Sequence, residues 1–277
     1  MINTSSLQLF HDGSNSLLYF QEDLANGNQL VVKVLKDDSA SANRTANFYN
    51  EYEIAKDLEI NGVPKYYSKE TLEGRPAILM EYMDGKPLKL VFDKDNRPTI
   101  KEFLNIAIEA TQILSEIHQN HIIHKDLNGN NILFNENDRS VKIIDFGISS
   151  RFDLKEQNMK SPDVLEGTLA YISPEQTGRM NRIVDYRTDL YSLGITFYEL
   201  LTGRVPFESR DSMELVHCHI ARKPLAICEI APNVPVMISE IVMQLLEKSA
   251  SDRYQSAYGL KMDLQRCLDE IEIKGEI

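Results

Sequence analysis

Cysteine is scarce: Cys218, Cys228 and Cys267 are the three in a chain of 277 residues. An odd count at those spacings suits neither a disulfide framework nor a zinc site, which points to a reducing compartment. Long hydrophobic runs are missing too. The most apolar stretch, Leu190 to Leu201, contains Glu199 and is too short to span a bilayer. It reads as a buried helix instead. No secretory or transit pattern opens the sequence, so a cytoplasmic location is expected. Positive charge is in deficit: 30 Lys and Arg face 42 Asp and Glu, for a net charge of −12. Nucleic acid and anionic membranes would repel such a chain, and neither is expected as a main partner.

What remains is an ordinary globular composition, 42% hydrophobic and 26% charged, long enough for a large core in one or two domains. The most informative stretch runs from His124 to Gly147. It reads H-K-D-L-N-G-N-N-I-L-F-N, then a polar connection, then V-K-I-I-D-F-G. Asp126 and Asp145 each sit beside a short apolar run, and Asn131 follows the first of them closely. Magnesium takes hard oxygen ligands: carboxylates, amide carbonyls, phosphates and water. Phosphoryl transfer asks for metal-bound phosphates and an oriented acceptor hydroxyl, with little covalent help from the protein. An Asp to accept a hydroxyl proton, with an Asn and an Asp to hold metal, fits that need.

Earlier in the chain, Leu7 to Phe10 and Leu17 to Phe20 read as a hairpin around a small-residue tip. Leu30 to Leu35 is a β-branched strand interrupted by Lys33. Such a lysine is either an edge-strand gatekeeper or a cation aimed into a phosphate site. Arg44 to Ile60 shows Phe48, Tyr52, Ala55 and Leu58 at helical spacing. Glu51 falls on that apolar face and Glu53 roughly opposite. Glu51 is either a solvated helix charge or a buried carboxylate in need of a partner, for which Lys33 is the candidate. Val63 to Thr71 and Pro76 to Met80 read as strands joined at Glu73-Gly74. The domain boundary and hinge are expected at Met80 to Gly85. That gives a small antiparallel sheet with one helix over residues 1–82 and a helical region over 83–277. A connector of this kind often borders a ligand cleft.

In the second region, Thr99 and Glu102 form a capping box. It opens a helical stripe of Phe103, Ile106, Ala107, Ala110, Ile113, Leu114 and Ile117. Ile132 to Phe134 and Val141 to Ile144 read as a short strand pair. His124 reads as a core histidine donating to backbone carbonyls. Ser149 to Glu166, with Ser161-Pro162, reads as a mobile loop leading into G-T-L-A-Y-I-S-P-E. Asp189 opens a helix that stops at Gly203. Helices are also expected at Arg210 to Ile220, Val236 to Leu246 and Ser256 to Leu268.

The ordered set Lys33, Glu51, H-K-D-L…N-N, D-F-G, G-T…S-P-E, Asp189 and Arg253 resembles an entire eukaryotic-like serine/threonine protein kinase domain, from about Leu7 to Leu268. One such motif is weak evidence, but the full series in order is specific. More narrowly, V-L-E-G-T-L-A-Y-I-S-P-E-Q-T-G-R-M-N-R and F-Y-E-L-L-T-G-R-V-P-F resemble the N-terminal kinase domains of large bacterial hybrid sensor histidine kinases. In those proteins an ATPase-like region, a GAF domain and a histidine kinase follow, so such modules are expected partners in the same polypeptide. The chain reads as either an excised domain or a stand-alone relative.

The resemblance implies an α+β, bilobal protein-kinase-like fold, ATP and magnesium as cofactors, and a protein substrate bearing Ser or Thr. It implies that Lys33, positioned by Glu51, holds the α- and β-phosphates. Asp126 would orient the substrate hydroxyl and accept its proton, and Asn131 and Asp145 would bind the metal. Leu18 and Val31 would cover adenine from above and Leu133 from below. The backbone of Glu81 and Met83 would bond its edge, with Met80 as gatekeeper. Glu175 would pair with Arg253, Asp189 would tether the catalytic loop, and Thr168 would line the substrate floor.

Three departures qualify the likeness. The family's G-x-G-x-x-G is His11, Gly13 and Ser16 here, so the middle glycine alone survives, among small polar Ser14, Asn15 and Ser16. Asn128 stands where these kinases carry a catalytic-loop lysine, a donor without the charge. Lys125 replaces the arginine that receives a loop phosphate, and Val164 occupies the usual phosphate-bearing position. Activity independent of loop phosphorylation is therefore expected, with Ser149, Ser150 and Ser161 as remaining sites. The alternative to an active kinase is a nucleotide-binding pseudokinase serving as a regulatory module or scaffold. A small-molecule kinase shares H-x-D-x-x-x-x-N, but the G-T…S-P-E segment and the Asp189 helix argue for peptide docking.

Overall fold

The computed structural model describes residues 7–13, 15–22, 29–36, 42–152, 167–179 and 182–274. The expectations for Ser14, Ser161 and Val164 lie outside them. The chain divides into two units, Met1–Asp84 with Ile144–Ser149 and Gly85–Ile143 with Ser150–Ile277.

The first unit is built on an antiparallel sheet in the order β1-β2-β3-β5-β4. Its strands are β1 (Gln8–Asp12), β2 (Ser16–Glu22), β3 (Gln29–Leu35), β4 (Tyr66–Leu72) and β5 (Arg75–Glu81). The run L-V-V-K-V-L lies at the centre, paired with β2 on one side and β5 on the other. Leu30, Val32 and Val34 pack with Leu72, Ala77 and Leu79 in one cluster. Lys33 alternates to the other face. A central strand needs no gatekeeper, so the edge reading of Lys33 does not apply. Glu73 and Gly74, at φ 51° and 81°, close a two-residue turn of the kind that suits a hairpin's twist.

Helix α1 (Ala42–Ala55) supplies the unit's one helix. It stops short of Ile60, because Leu58 N–H turns to Ala55 O in a tighter turn. β4 likewise starts at Tyr66 rather than Val63. Val63 N–H closes a turn on Ile60 O, and Pro64 has no N–H to give a ladder.

In the second unit, β6 (Lys86–Pro87), β8 (Ile132–Phe134) and β9 (Val141–Ile143) form a small sheet, and β7 (Ile122–Ile123) pairs with β10 (Ser150–Arg151). A short α2 (Leu88–Val91) precedes α3 (Ile100–Gln119). The capping box on α3 is formed: Thr99 Oγ1 accepts from Glu102 N–H at 3.2 Å and Glu102 Oε2 from Thr99 N–H at 3.4 Å. Every member of the expected α3 stripe is buried. α8 (Ala257–Lys274) packs along α3, with Lys261 Nζ donating to Gln112 Oε1 at 2.7 Å. α8 runs past the expected Leu268, its last turns carrying an exposed Ile273.

Helix α4 (Arg187–Thr202) is buried along almost its whole length. Gly203 ends it at φ 75°, its N–H bonded to Glu199 O at 2.7 Å. A Cβ on Gly203 would stand 2.5 Å from Lys94 Cα, so conformation and space both require glycine there. α5 (Ser212–Ala221), a short unforeseen α6 (Ile227–Ile230) and α7 (Val236–Leu245) complete the unit. Arg253 and Glu175, both buried, meet through two bonds of 2.7 and 2.9 Å. Arg253 also donates to Glu247 O and Arg187 O, and Thr188 Oγ1 donates to Glu175 at 2.8 Å. A buried ion pair is tolerable when its remaining donors and acceptors are filled in this way.

Candidate active-site clusters

Two groups of predicted residues gather around carboxylates, one in each unit. In the first unit, Lys33 Nζ reaches Glu51 Oε2 at 2.6 Å and Asp145 Oδ1 at 3.3 Å. Glu51 is buried on α1, and its second oxygen accepts from Tyr66 O–H at 2.9 Å. The helical periodicity that put Glu51 on the apolar face thus delivers it to Lys33. Burial alone would lower the Lys33 pKa, but the Asp145 and Glu51 carboxylates outweigh it and hold the ammonium above its usual range. Asp145 sits at φ 70°, a left-handed conformation Asp tolerates better than most residues. The Gly147 N–H donates to its Oδ1 at 3.3 Å.

The positions of this unit expected to cover a nucleotide lie as follows. Leu18 pairs with Lys33 and Val31 with Met80, side by side in the sheet. Glu81 N–H is taken by Lys65 O at 2.8 Å and Tyr82 N–H by Gln29 O at 3.1 Å. What Glu81 can offer an adenine edge is therefore its carbonyl. Met83 follows β5 in irregular backbone. Gly13 N–H closes a tight turn on Ser16 O at 3.0 Å, and a Cβ there would stand 3.1 Å from that oxygen. Gly13 therefore serves the turn itself.

In the second unit, Asp126 accepts from a backbone N–H and from side-chain amides. Thr168 N–H donates to its Oδ1 at 2.9 Å, and Asn131 Nδ2 to its Oδ2 at 3.1 Å and its backbone oxygen at 2.8 Å. Asn128 is 1% exposed. Its Nδ2 lies 3.0 Å from Asp126 O, 3.3 Å from Asp126 Oδ1 and 3.3 Å from Thr168 Oγ1. Its Oδ1 accepts from Asn130 N–H at 2.9 Å. Asn128 is thus tied into the loop as an orienting amide. Leu133 lies on β8 opposite Pro87 and Lys142.

The loop is anchored from beneath by Asp189. Its Oδ2 accepts from His124 N–H at 2.8 Å, its Oδ1 from Lys125 N–H at 2.7 Å, and His118 Nε2 lies 2.9 Å from Oδ2. Burial opposes this carboxylate's charge, but His118 and the His124 N–H more than offset it, and its pKa is lowered. His124 is fully buried, and its Nδ1 accepts from Asp126 N–H at 3.3 Å rather than serving solely as the expected donor to carbonyls. Gln176, on the S-P-E segment, donates to Lys125 O at 2.8 Å. Sequence reasoning passed over Gln176, His118 and Asn50. Each bonds a group distant in sequence, which periodicity does not register.

Each unit, taken by itself, offers a hard oxygen donor of the kind magnesium takes. Asp145 offers a carboxylate, and Asn131, with its amide nitrogen spent on Asp126, keeps a carbonyl oxygen; both are hard ligands. No cluster of three or more His, Cys, Asp or Glu suited to a metal occurs among the described residues. A site that completes its sphere with phosphate and water needs none.

With this geometry, membership is plain: the chain belongs to the protein kinase domain family, whose model matches residues 8–264. Hybrid signal transduction histidine kinase G of Dictyostelium discoideum is 37% identical over 232 residues, 60% of this chain and 7% of that protein. Serine/threonine-protein kinase PknB of Mycolicibacterium smegmatis is 32% identical over 262 residues, 92% of this chain and 41% of that protein. Serine/threonine-protein kinase PrkC of Bacillus subtilis is 27% identical over 264 residues, 95% of this chain and 40% of that protein. The chain therefore spans less than half the length of each. Among the described residues, no helix is long and apolar enough to cross a membrane.

Proposed function

We propose that this domain transfers the γ-phosphoryl group of ATP to serine or threonine hydroxyls of protein substrates, with magnesium, in bacterial signalling. The observation that carries the reading is the setting of Asp126. Its carboxylate is oriented by Thr168 N–H, Asn128 and Asn131. In this reading Asp126 orients the acceptor hydroxyl and takes its proton. Lys33, kept cationic by Glu51 and Asp145, draws in the α- and β-phosphates. Asn131 and Asp145 hold the metal, which supplies neutralisation of phosphate charge. Leu18, Val31, Met80 and Leu133 bound adenine, and Glu81 and Met83 meet its edge. The two lobes are taken as residues 1–82 and 83–277, with Ile144–Ser149 grouping with the first. The protein acts in the cytoplasm, and ATPase-like, GAF and histidine-kinase modules of one polypeptide are its partners.

A second reading, a nucleotide-binding regulatory pseudokinase, is favoured by the uncharged, buried Asn128. One assay separates the two: labelled ATP, magnesium and a generic basic protein, with Asp126→Asn and Asp145→Asn beside the wild type. Transfer by the wild type, with a loss of at least about 10²-fold in each variant, is expected. Retained MgATP binding without transfer would establish the pseudokinase.

A further inference from the structure

Helix α1 makes a second attachment to the segment that begins at Asp145. It runs through a side chain to which the roles above give no part. Asn50, immediately before Glu51, donates from Nδ2 to Gly147 O at 3.1 Å and to Ser149 O at 2.9 Å. An amide nitrogen has two hydrogens, and this one has a carbonyl for each. Two acceptors around one atom also fix which end of the amide is nitrogen.

The segment so held is irregular. Asp145 is left-handed, and Ser149 N–H closes on Phe146 O at 3.1 Å. Regular secondary structure therefore does not fix its path. α1 holds it twice: at its start through Glu51, Lys33 and the Asp145 carboxylate, and further on through Asn50. The Glu51 attachment acts on the side chain of Asp145, and the Asn50 attachment acts on the backbone that carries it.

We propose that Asn50 is a positioning residue: its amide latches α1 to the 147–149 backbone and so sets where Asp145 presents its carboxylate to the metal. This rests on the magnesium-dependent nucleotide reading above. The latch is internal to the chain and requires no phosphate on the loop. Aspartate in its place has the same shape but no donor, and would turn lone pairs toward two carbonyl oxygens. Because Asn50 acts through the metal-holding residue, its loss should weaken nucleotide binding in magnesium while sparing binding without it.

The test uses the whole chain with Asn50→Ala, Asn50→Asp and Asn50→Gln, the last keeping both donors one methylene further out. ADP affinity is measured by calorimetry with and without magnesium, alongside kcat for phosphoryl transfer. Expected is a loss of roughly tenfold in kcat and in magnesium-dependent affinity for Asn50→Ala. Asn50→Asp should lose more, Asn50→Gln should recover in part, and metal-free affinity should stay within about twofold. A merely structural role would lower the melting temperature and leave the magnesium dependence unmoved. Wild-type values in Asn50→Asp, or equal losses with and without metal, would overturn the latch. If the wild type itself transfers no phosphate, the kinase reading fails. The magnesium-dependent ADP affinity then decides the latch by the same criteria.

Discussion

Asp145 and Asp126 carry the same side chain and are organised in opposite ways. Asp145 stands beside a buried ammonium that is shared with Glu51. Asp126 accepts from a backbone N–H and two side-chain amides. The difference suits the roles proposed for the two carboxylates. A group that must gather a divalent ion beside phosphates benefits from a neighbouring cation that binds the same phosphates. A group that must accept a proton does not, because an ammonium beside a carboxylate favours the ionised form and makes it a weaker base. Neutral donors orient such a base at less cost to its basicity. Asn128 in the lysine's place is therefore more than a missing charge. It is a further amide donor to the Asp126 carboxylate.

The hardest way to break this contrast is to remove the cation from the Asp145 side. Lys33→Met should lower phosphoryl transfer by at least about 10²-fold. It should also destabilise the fold by about 3 kcal/mol, because Glu51 is left buried without its counter-charge. Lys33→Met combined with Glu51→Gln should regain stability and none of the activity. Thermal melts beside transfer rates check both, and an inactive single variant of full stability would sink the account of the pair. A smaller effect is expected at Asn128. Asn128→Ala should lower kcat by about tenfold with the KM for ATP unchanged, since the amide orients Asp126 rather than nucleotide. Asn128→Lys sharpens the comparison: a kcat at or above wild type would mean the added charge outweighs the lost amide contact to Asp126.

A last effect, on stability rather than on transfer, lies away from both carboxylates. His219 is buried against Tyr191, its Nδ1 3.0 Å from the hydroxyl, and burial followed by the Lys248 charge pushes its pKa down from 6.5 to about 4. The unfolded chain then binds more protons than the folded one between those values, so His219 contributes stability above pH 6.5 that is lost as pH falls toward 4. At most this is on the order of 3 kcal/mol. Melting temperatures across that range should fall more steeply for the wild type than for His219→Gln, and parallel curves would remove His219 as the cause.

Much of the architecture was legible before any coordinates. Alternation and turn residues announced β2, β3 and β5. The Thr99 and Glu102 box announced α3, and the apolar stripe of α1 put Glu51 where a buried cation was needed. These signals are local, and local chemistry decided them. The misses share a different cause. α1 ends at Ala55 although its apolar residues continue to Ile60, because the chain turns while staying buried. Asn128 reads in sequence as a position facing phosphate, yet its amide is folded into the loop. Asn50 and Gln176 carry no pattern that singles them out. Their partners are backbone carbonyls brought near by the fold, and neither spacing nor composition encodes those.

The packing of α8 on α3 has a consequence for how the chain comes into being. A ribosome delivers α3 well before α8, and most of the second unit is synthesised in between. Until α8 emerges, α3 lacks part of its cover, and the nascent chain presents an adhesive apolar surface. The same long separation makes this contact slow to find. Chaperone demand during synthesis, and the solubility of chains cut before residue 257, are thus set by a helix far from either carboxylate cluster.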